Sequence, residues 1–110
     1  MCAKKNVHLH IDGARIFNAI AAYKCKPADL SEYYDSLTIC FSKSLCCPTG
    51  AVVLGDRDFI NKLRYIRKSL GGTMRQTGVL TAAGLWALEH MTVEVEKDNW
   101  ITMELAKKLA

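Results

Sequence analysis

Leu37 to Leu54 constrains the fold of this chain more than any other stretch. It reads Leu-Thr-Ile-Cys-Phe-Ser-Lys-Ser-Leu-Cys-Cys-Pro-Thr-Gly-Ala-Val-Val-Leu, two short apolar runs separated by Lys43 and a turn. Short runs rich in β-branched and aromatic residues, bounded by turn residues, read as buried strands. Strands are therefore expected over Leu37–Phe41 and Ala51–Leu54. The residues between Lys43 and Ala51 leave no room for a crossover, so the second strand should return antiparallel beside the first. Lys43, at the mouth of a strand and flanked by small residues, suits Schiff-base chemistry. A desolvated lysine loses its proton, and its neutral amine attacks a carbonyl. A solvated strand end is the other reading.

Upstream, Val7-His-Leu-His-Ile11 alternates, which puts His8 and His10 on one strand face. Two histidines at that spacing hold a metal only with further ligands, and none is evident nearby. Surface or packed histidines are expected, and no metal. Asp12-Gly-Ala-Arg15 follows, then a helix over Ala14–Tyr23 with Ile16, Phe17, Ile20 and Ala21 as its apolar stripe. Pro27 suits the first turn of a short second helix reaching Tyr34. The length between Ile11 and Leu37 admits a crossover, so the first two strands should run parallel.

Downstream, Asp56 is placed to cap a helix in which Phe59, Ile60, Leu63, Ile66 and Leu70 recur at helical spacing. Gly71-Gly72 should stop it. Thr73-Met-Arg-Gln76 has capping-box spacing and predicts a long apolar helix from Met74 to about Met91. A last helix is expected from about Asn99, carrying Ile101, Leu105 and Leu109.

The 110 residues allow one domain at most, and 50% hydrophobic with 24% charged residues suits a globular α/β segment. No apolar stretch is long enough to span a bilayer, so no membrane contact is expected. The start, Met-Cys-Ala-Lys-Lys-Asn, has no apolar signal region. Five cysteines without a CxxC or zinc spacing imply reduced thiols and a cytoplasmic location. The net charge of +4 is mild, and its densest patch, Lys62-Leu-Arg-Tyr-Ile-Arg-Lys68, is expected to be a solvated helix face rather than a nucleic-acid contact.

In open sheets of parallel strands, ligands sit beyond the carboxyl ends of the strands. Asp12 and Lys43 each follow a strand expected to be parallel, and Arg15 opens the helix beside them. An acid, a guanidinium and an amine on one rim suit an anionic ligand with a basic ring nitrogen. Alternatively, Asp12 caps its helix and Arg15 pairs with a nearby carboxylate.

His10-Ile-Asp-Gly-Ala-Arg-Ile-Phe-Asn-Ala19, the Ser42-Lys43 element and Leu70-Gly-Gly-Thr-Met-Arg-Gln76 together resemble the low-specificity L-threonine aldolases. The likeness covers essentially the whole chain, with three motifs in matching order. It implies a partial open three-layer α/β/α sheet, from the large domain of pyridoxal-phosphate enzymes of aspartate-aminotransferase fold type. It also implies pyridoxal 5'-phosphate as cofactor, a small amino-acid substrate and a homo-oligomer, tetrameric in the family. By resemblance Lys43 is the catalytic lysine that forms the Schiff base, and Asp12 pairs with the protonated pyridine nitrogen. Arg15 is expected at the cofactor and the substrate carboxylate, while Lys68 and Arg75 line the active-site region. The implied reaction is retro-aldol cleavage of threonine or allo-threonine to glycine and acetaldehyde.

The chain departs from the family in places. Ser44-Leu-Cys-Cys replaces a more glycine-rich turn, and Thr73 takes the third place of a triple glycine. The family's phosphate loop, ring-stacking residue and small domain find no counterpart in these 110 residues. Residues 1–110 are therefore expected to be the C-terminal part of the cofactor-binding large domain, a fragment with open sheet edges and an uncovered Val79–Leu88 helix. The alternatives are a non-catalytic remnant, or a related enzyme such as a β-eliminating lyase or an amino-acid racemase.

Overall fold

The computed structural model describes residues 5–110. Three strands form one sheet in the order β1 (His10–Gly13), β2 (Ser36–Cys40), β3 (Ala51–Gly55). β1 runs parallel to β2, and β3 returns antiparallel, as the linker lengths require. Asp12 pairs with Thr38 and Gly13 with Ile39, while Leu37 faces Leu54 across the other seam.

Side chains alternate across the sheet, and the two faces differ in chemistry. Leu37, Ile39 and Phe41 fall on one face. There Phe41 joins Leu45, Cys47 and Ala87 in the core, with Phe17, Ala83 and Met91 packed around them. Helices α1 (Ile16–Tyr23) and α4 (Gly78–His90) supply the helical side of that core. His10, Asp12, Ser36, Thr38 and Cys40 fall on the other, polar face. Over that face lies helix α3 (Arg57–Ser69), whose Phe59 and Leu63 line a groove with His10, Thr38 and Val53. Gly55 permits this approach, because a Cβ there would sit 2.6 Å from Phe59 Cδ1.

Asp56 caps α3 as expected, its Oδ1 accepting the Phe59 N–H at 2.8 Å. The short second helix is α2 (Pro27–Leu30), continued as a 3₁₀ turn over Ser31–Tyr33. The chain leaves α3 through Gly71, whose φ of +75° suits a residue without a Cβ.

Four element starts differ from expectation by two residues or more. β1 begins at His10 rather than Val7, because Asp35 takes the Leu9 N–H on its carboxylate at 2.7 Å. Helix α1 begins at Ile16 rather than Ala14, because the Ala14 N–H bonds back to Asp12 Oδ1 at 3.1 Å. Helix α4 begins at Gly78 rather than Met74. Residues 71–79 are all exposed, so the capping-box spacing of Thr73–Gln76 has no packing to support a helix there. Finally, α5 (Glu94–Leu109) starts five residues before Asn99. Glu94 and Glu96 in its first turn suit the helix dipole, and Val95 between them is fully buried.

Much apolar surface stays uncovered. All of β3 is exposed, and on α4 Trp86 is 56% exposed beside Leu85 and Val79. Among the described residues no helix is long and apolar enough to cross a membrane, and Cys25, Cys40, Cys46 and Cys47 are free thiols.

Candidate active site

The carboxyl ends of β1 and β2 meet where Asp-Gly-Ala-Arg leaves one strand and Ser42-Lys43 leaves the other. Asp12 lies inside β1 rather than past its end, on the polar face and exposed. It does not cap α1, since its carboxylate turns back onto the Ala14 N–H. Gly13 behind it is buried against β2. A Cβ at that position would stand 2.9 Å from the Thr38 carbonyl oxygen, so only glycine lets the strands approach this closely. Arg15 flanks the start of α1, is exposed, and makes no ion pair among the described residues.

Lys43 stands three residues beyond the end of β2, exposed on a tight turn. Its carbonyl oxygen accepts the Cys46 N–H at 2.8 Å, and Phe41 O accepts the Cys47 N–H at 3.0 Å. Leu45, 1% exposed, plugs the turn into the core beside Ala87. Cys46 takes the left-handed conformation, φ +55°, that a glycine-rich turn would accept more readily. Ser44 departs from the family's glycine, but its hydroxyl is turned to α1, where it donates to Asn18 Oδ1.

Cys40 is the last residue of β2 and alternates onto the same face as Thr38, the partner of Asp12. The Ser42 hydroxyl, 3.3 Å from the sulfur, and the Ser42 backbone hold its thiol below the usual pKa. The Lys43 ammonium pulls in the same direction and the Asp12 carboxylate opposes it. Sequence reasoning missed Cys40, although its spacing from Thr38 puts the two on one strand face.

His10 is held against β2. Its Nδ1 is 2.8 Å from Ser36 Oγ and its Nε2 is 3.2 Å from Thr38 Oγ1, so both ring nitrogens have hydroxyl partners. His8 lies 3.8 Å from Asp35. Lys68 is in the last turn of α3, and Arg75 is in the exposed connection to α4. No hydrogen bond or ion pair joins either of them to Asp12, Arg15 or Lys43 among the described residues.

A model of the beta-eliminating lyase family matches residues 1–110, the whole chain. The chain belongs to the beta-eliminating lyase family. Among curated relatives, low specificity L-threonine aldolase of Escherichia coli K12 is 43% identical over 106 residues, covering 96% of this chain and 32% of that protein. A crystal structure from Listeria monocytogenes EGD-E, assigned as an L-allo-threonine aldolase, superposes with a TM-score of 0.82 at 21% identity. That match covers 87% of this chain and 27% of the other. A structure from Exiguobacterium sp. 255-15, assigned as an aromatic amino acid beta-eliminating lyase/threonine aldolase, gives 0.74 at 27% identity, over 83% and 26% of the two chains. The α/β fold is thus that of threonine aldolase structures, and this lyase-family chain spans about a third of the length of the curated relatives it matches.

Proposed function

We propose that this chain supplies the amine and acid of a pyridoxal-phosphate lyase that cleaves threonine or allo-threonine to glycine and acetaldehyde. The observation that supports the reading is the strand register: Asp12 pairs with Thr38, two residues before β2 ends, and Lys43 follows three residues past that end. The donor set fits the cofactor: a primary amine for its aldehyde, a carboxylate for its ring nitrogen, and the Arg15 guanidinium, which makes no ion pair among the described residues. Pyridoxal phosphate, when bound, supplies an electron sink for the carbanion left when Cα–Cβ breaks.

The chain's own groups do the rest. The ionised Asp12 carboxylate keeps the ring nitrogen protonated, because a nearby negative charge favours the protonated form. Lys43 presents its amine to the aldehyde. The Arg15 guanidinium would hold the substrate carboxylate and so select which Cα bond is cleaved. Lys68 and Arg75 add positive charge at the margin of the site, and the assembled enzyme is a homo-oligomer in the cytoplasm. In that enzyme, residues 1–110 form the C-terminal part of the cofactor-binding large domain.

A second reading is a non-catalytic segment in which Asp12 and Lys43 are idle, favoured by the exposure of both side chains and by the lack of a bond between them among the described residues. One chimera separates the two. Residues 5–110 replace the matching segment of the Escherichia coli relative, and acetaldehyde release from L-threonine is measured. The catalytic reading predicts cleavage, abolished by Lys43→Ala. A folded chimera that binds the cofactor but releases no acetaldehyde, or an active Lys43→Ala variant, overturns it.

A further inference from the structure

The turn that carries Lys43 is tied to two helices by a run of polar side chains. Ser44 Oγ donates to Asn18 Oδ1 in α1. Asn18 Nδ2 donates to Asn99 Oδ1 in α5 at 2.9 Å, and Asn99 Nδ2 donates back to the Asn18 carbonyl oxygen at 2.9 Å. The two asparagines lie 81 residues apart and are half-buried. Their exchange fixes both amide orientations. Because the Asn18 nitrogen must face Asn99, its oxygen is the end left for the turn. A donor at position 44 satisfies that oxygen, and the Ser44 hydroxyl is one.

The tie adds a link with α1 and α5 to a turn whose Lys43 carbonyl already accepts the Cys46 N–H at 2.8 Å. Leu45 and the Phe41–Cys47 bond anchor the turn after Lys43. On the Lys43 side, Ser44 provides the side-chain anchor. Its bond is also partly shielded from water, where a hydrogen bond restrains its partners more strongly than at the surface.

We propose that Ser44 is a positioning residue: through Asn18 and Asn99 it fixes the backbone from which the Lys43 amine projects. This rests on the reading of Lys43 as the amine that takes the cofactor. Losing one hydrogen bond of this kind corresponds to weakening cofactor capture about three- to tenfold. Asn99→Ala lets the Asn18 amide turn and has the same effect through α5. Acting as one chain, Ser44→Ala and Asn99→Ala together lose little more than either alone.

The test uses the chimera described above, residues 5–110 in the Escherichia coli relative, with pyridoxal phosphate, reading the apparent Kd from the visible absorbance band and hydrogen exchange over residues 42–47. Ser44→Ala should weaken capture about three- to tenfold and speed exchange in the turn, leaving α3 unchanged, while Ser44→Thr restores both. Unchanged capture and exchange in Ser44→Ala, or additive losses in the double variant, overturn the proposal. Lys43→Ala distinguishes the two levels. If it captures cofactor as well as the unsubstituted chimera, the reading of Lys43 fails. If it loses capture while Ser44→Ala does not, positioning alone fails. Should the unsubstituted chimera fold and capture no cofactor, the reading of Lys43 falls, and exchange in the turn still shows whether Ser44 holds it.

Discussion

Asp12 stands directly across from Thr38 on the neighbouring parallel strand, two residues before β2 ends at Cys40. The register therefore brings the acid of one strand close to the point where the other strand hands over to Ser42 and Lys43. The crossover that makes these strands parallel is what places both groups at one end of the sheet.

That register depends on Gly13. A methyl group there would press on the Thr38 carbonyl oxygen, a backbone atom that cannot swing aside. Gly13→Ala is expected to cost about 1–3 kcal/mol, the range for overpacking. Denaturant unfolding measures it, and an unchanged midpoint would show that the strands are less closely seated.

Leu45 links the turn to the core. Its truncation to alanine opens a cavity against Ala87 and Phe41 and should cost about 2–5 kcal/mol. Hydrogen exchange should rise first in residues 42–47. Equal protection in the variant would mean that the hydrogen bonds of the turn suffice without the plug.

Cys40 reports on the charges around it. Hydrogen bonding from Ser42, with help from Lys43, favours the thiolate, so alkylation of Cys40 should reach half its maximal rate at lower pH in the native chain than in urea. Ser42→Ala removes the largest cause and should move that midpoint upward. Residue-resolved mass spectrometry follows the reaction. A midpoint that is the same native and unfolded would contradict the arrangement at the end of β2.

Strand order was legible in the sequence because it follows from linker length, and Asp56 was legible as a cap because its role is local. The starts of α4 and α5 were not. Thr73–Gln76 carries a capping pattern with no packing behind it, while Val95 is buried among charged neighbours that hide it from any apolar stripe. Asp12, Arg15 and Lys43 were singled out by rim geometry and by resemblance. The Ser44–Asn18–Asn99 tie was invisible, since two asparagines far apart in sequence carry no periodic signal until the fold joins them.

The most direct measurement is to incubate the full chain with pyridoxal phosphate, reduce with borohydride, and map the label by peptide mass spectrometry. Selective labelling of Lys43, lost in Lys43→Ala and weakened in Asp12→Ala, is the predicted result. Labelling spread evenly over exposed lysines such as Lys62 and Lys68, with none favoured at Lys43, would contradict the shared site of Asp12 and Lys43.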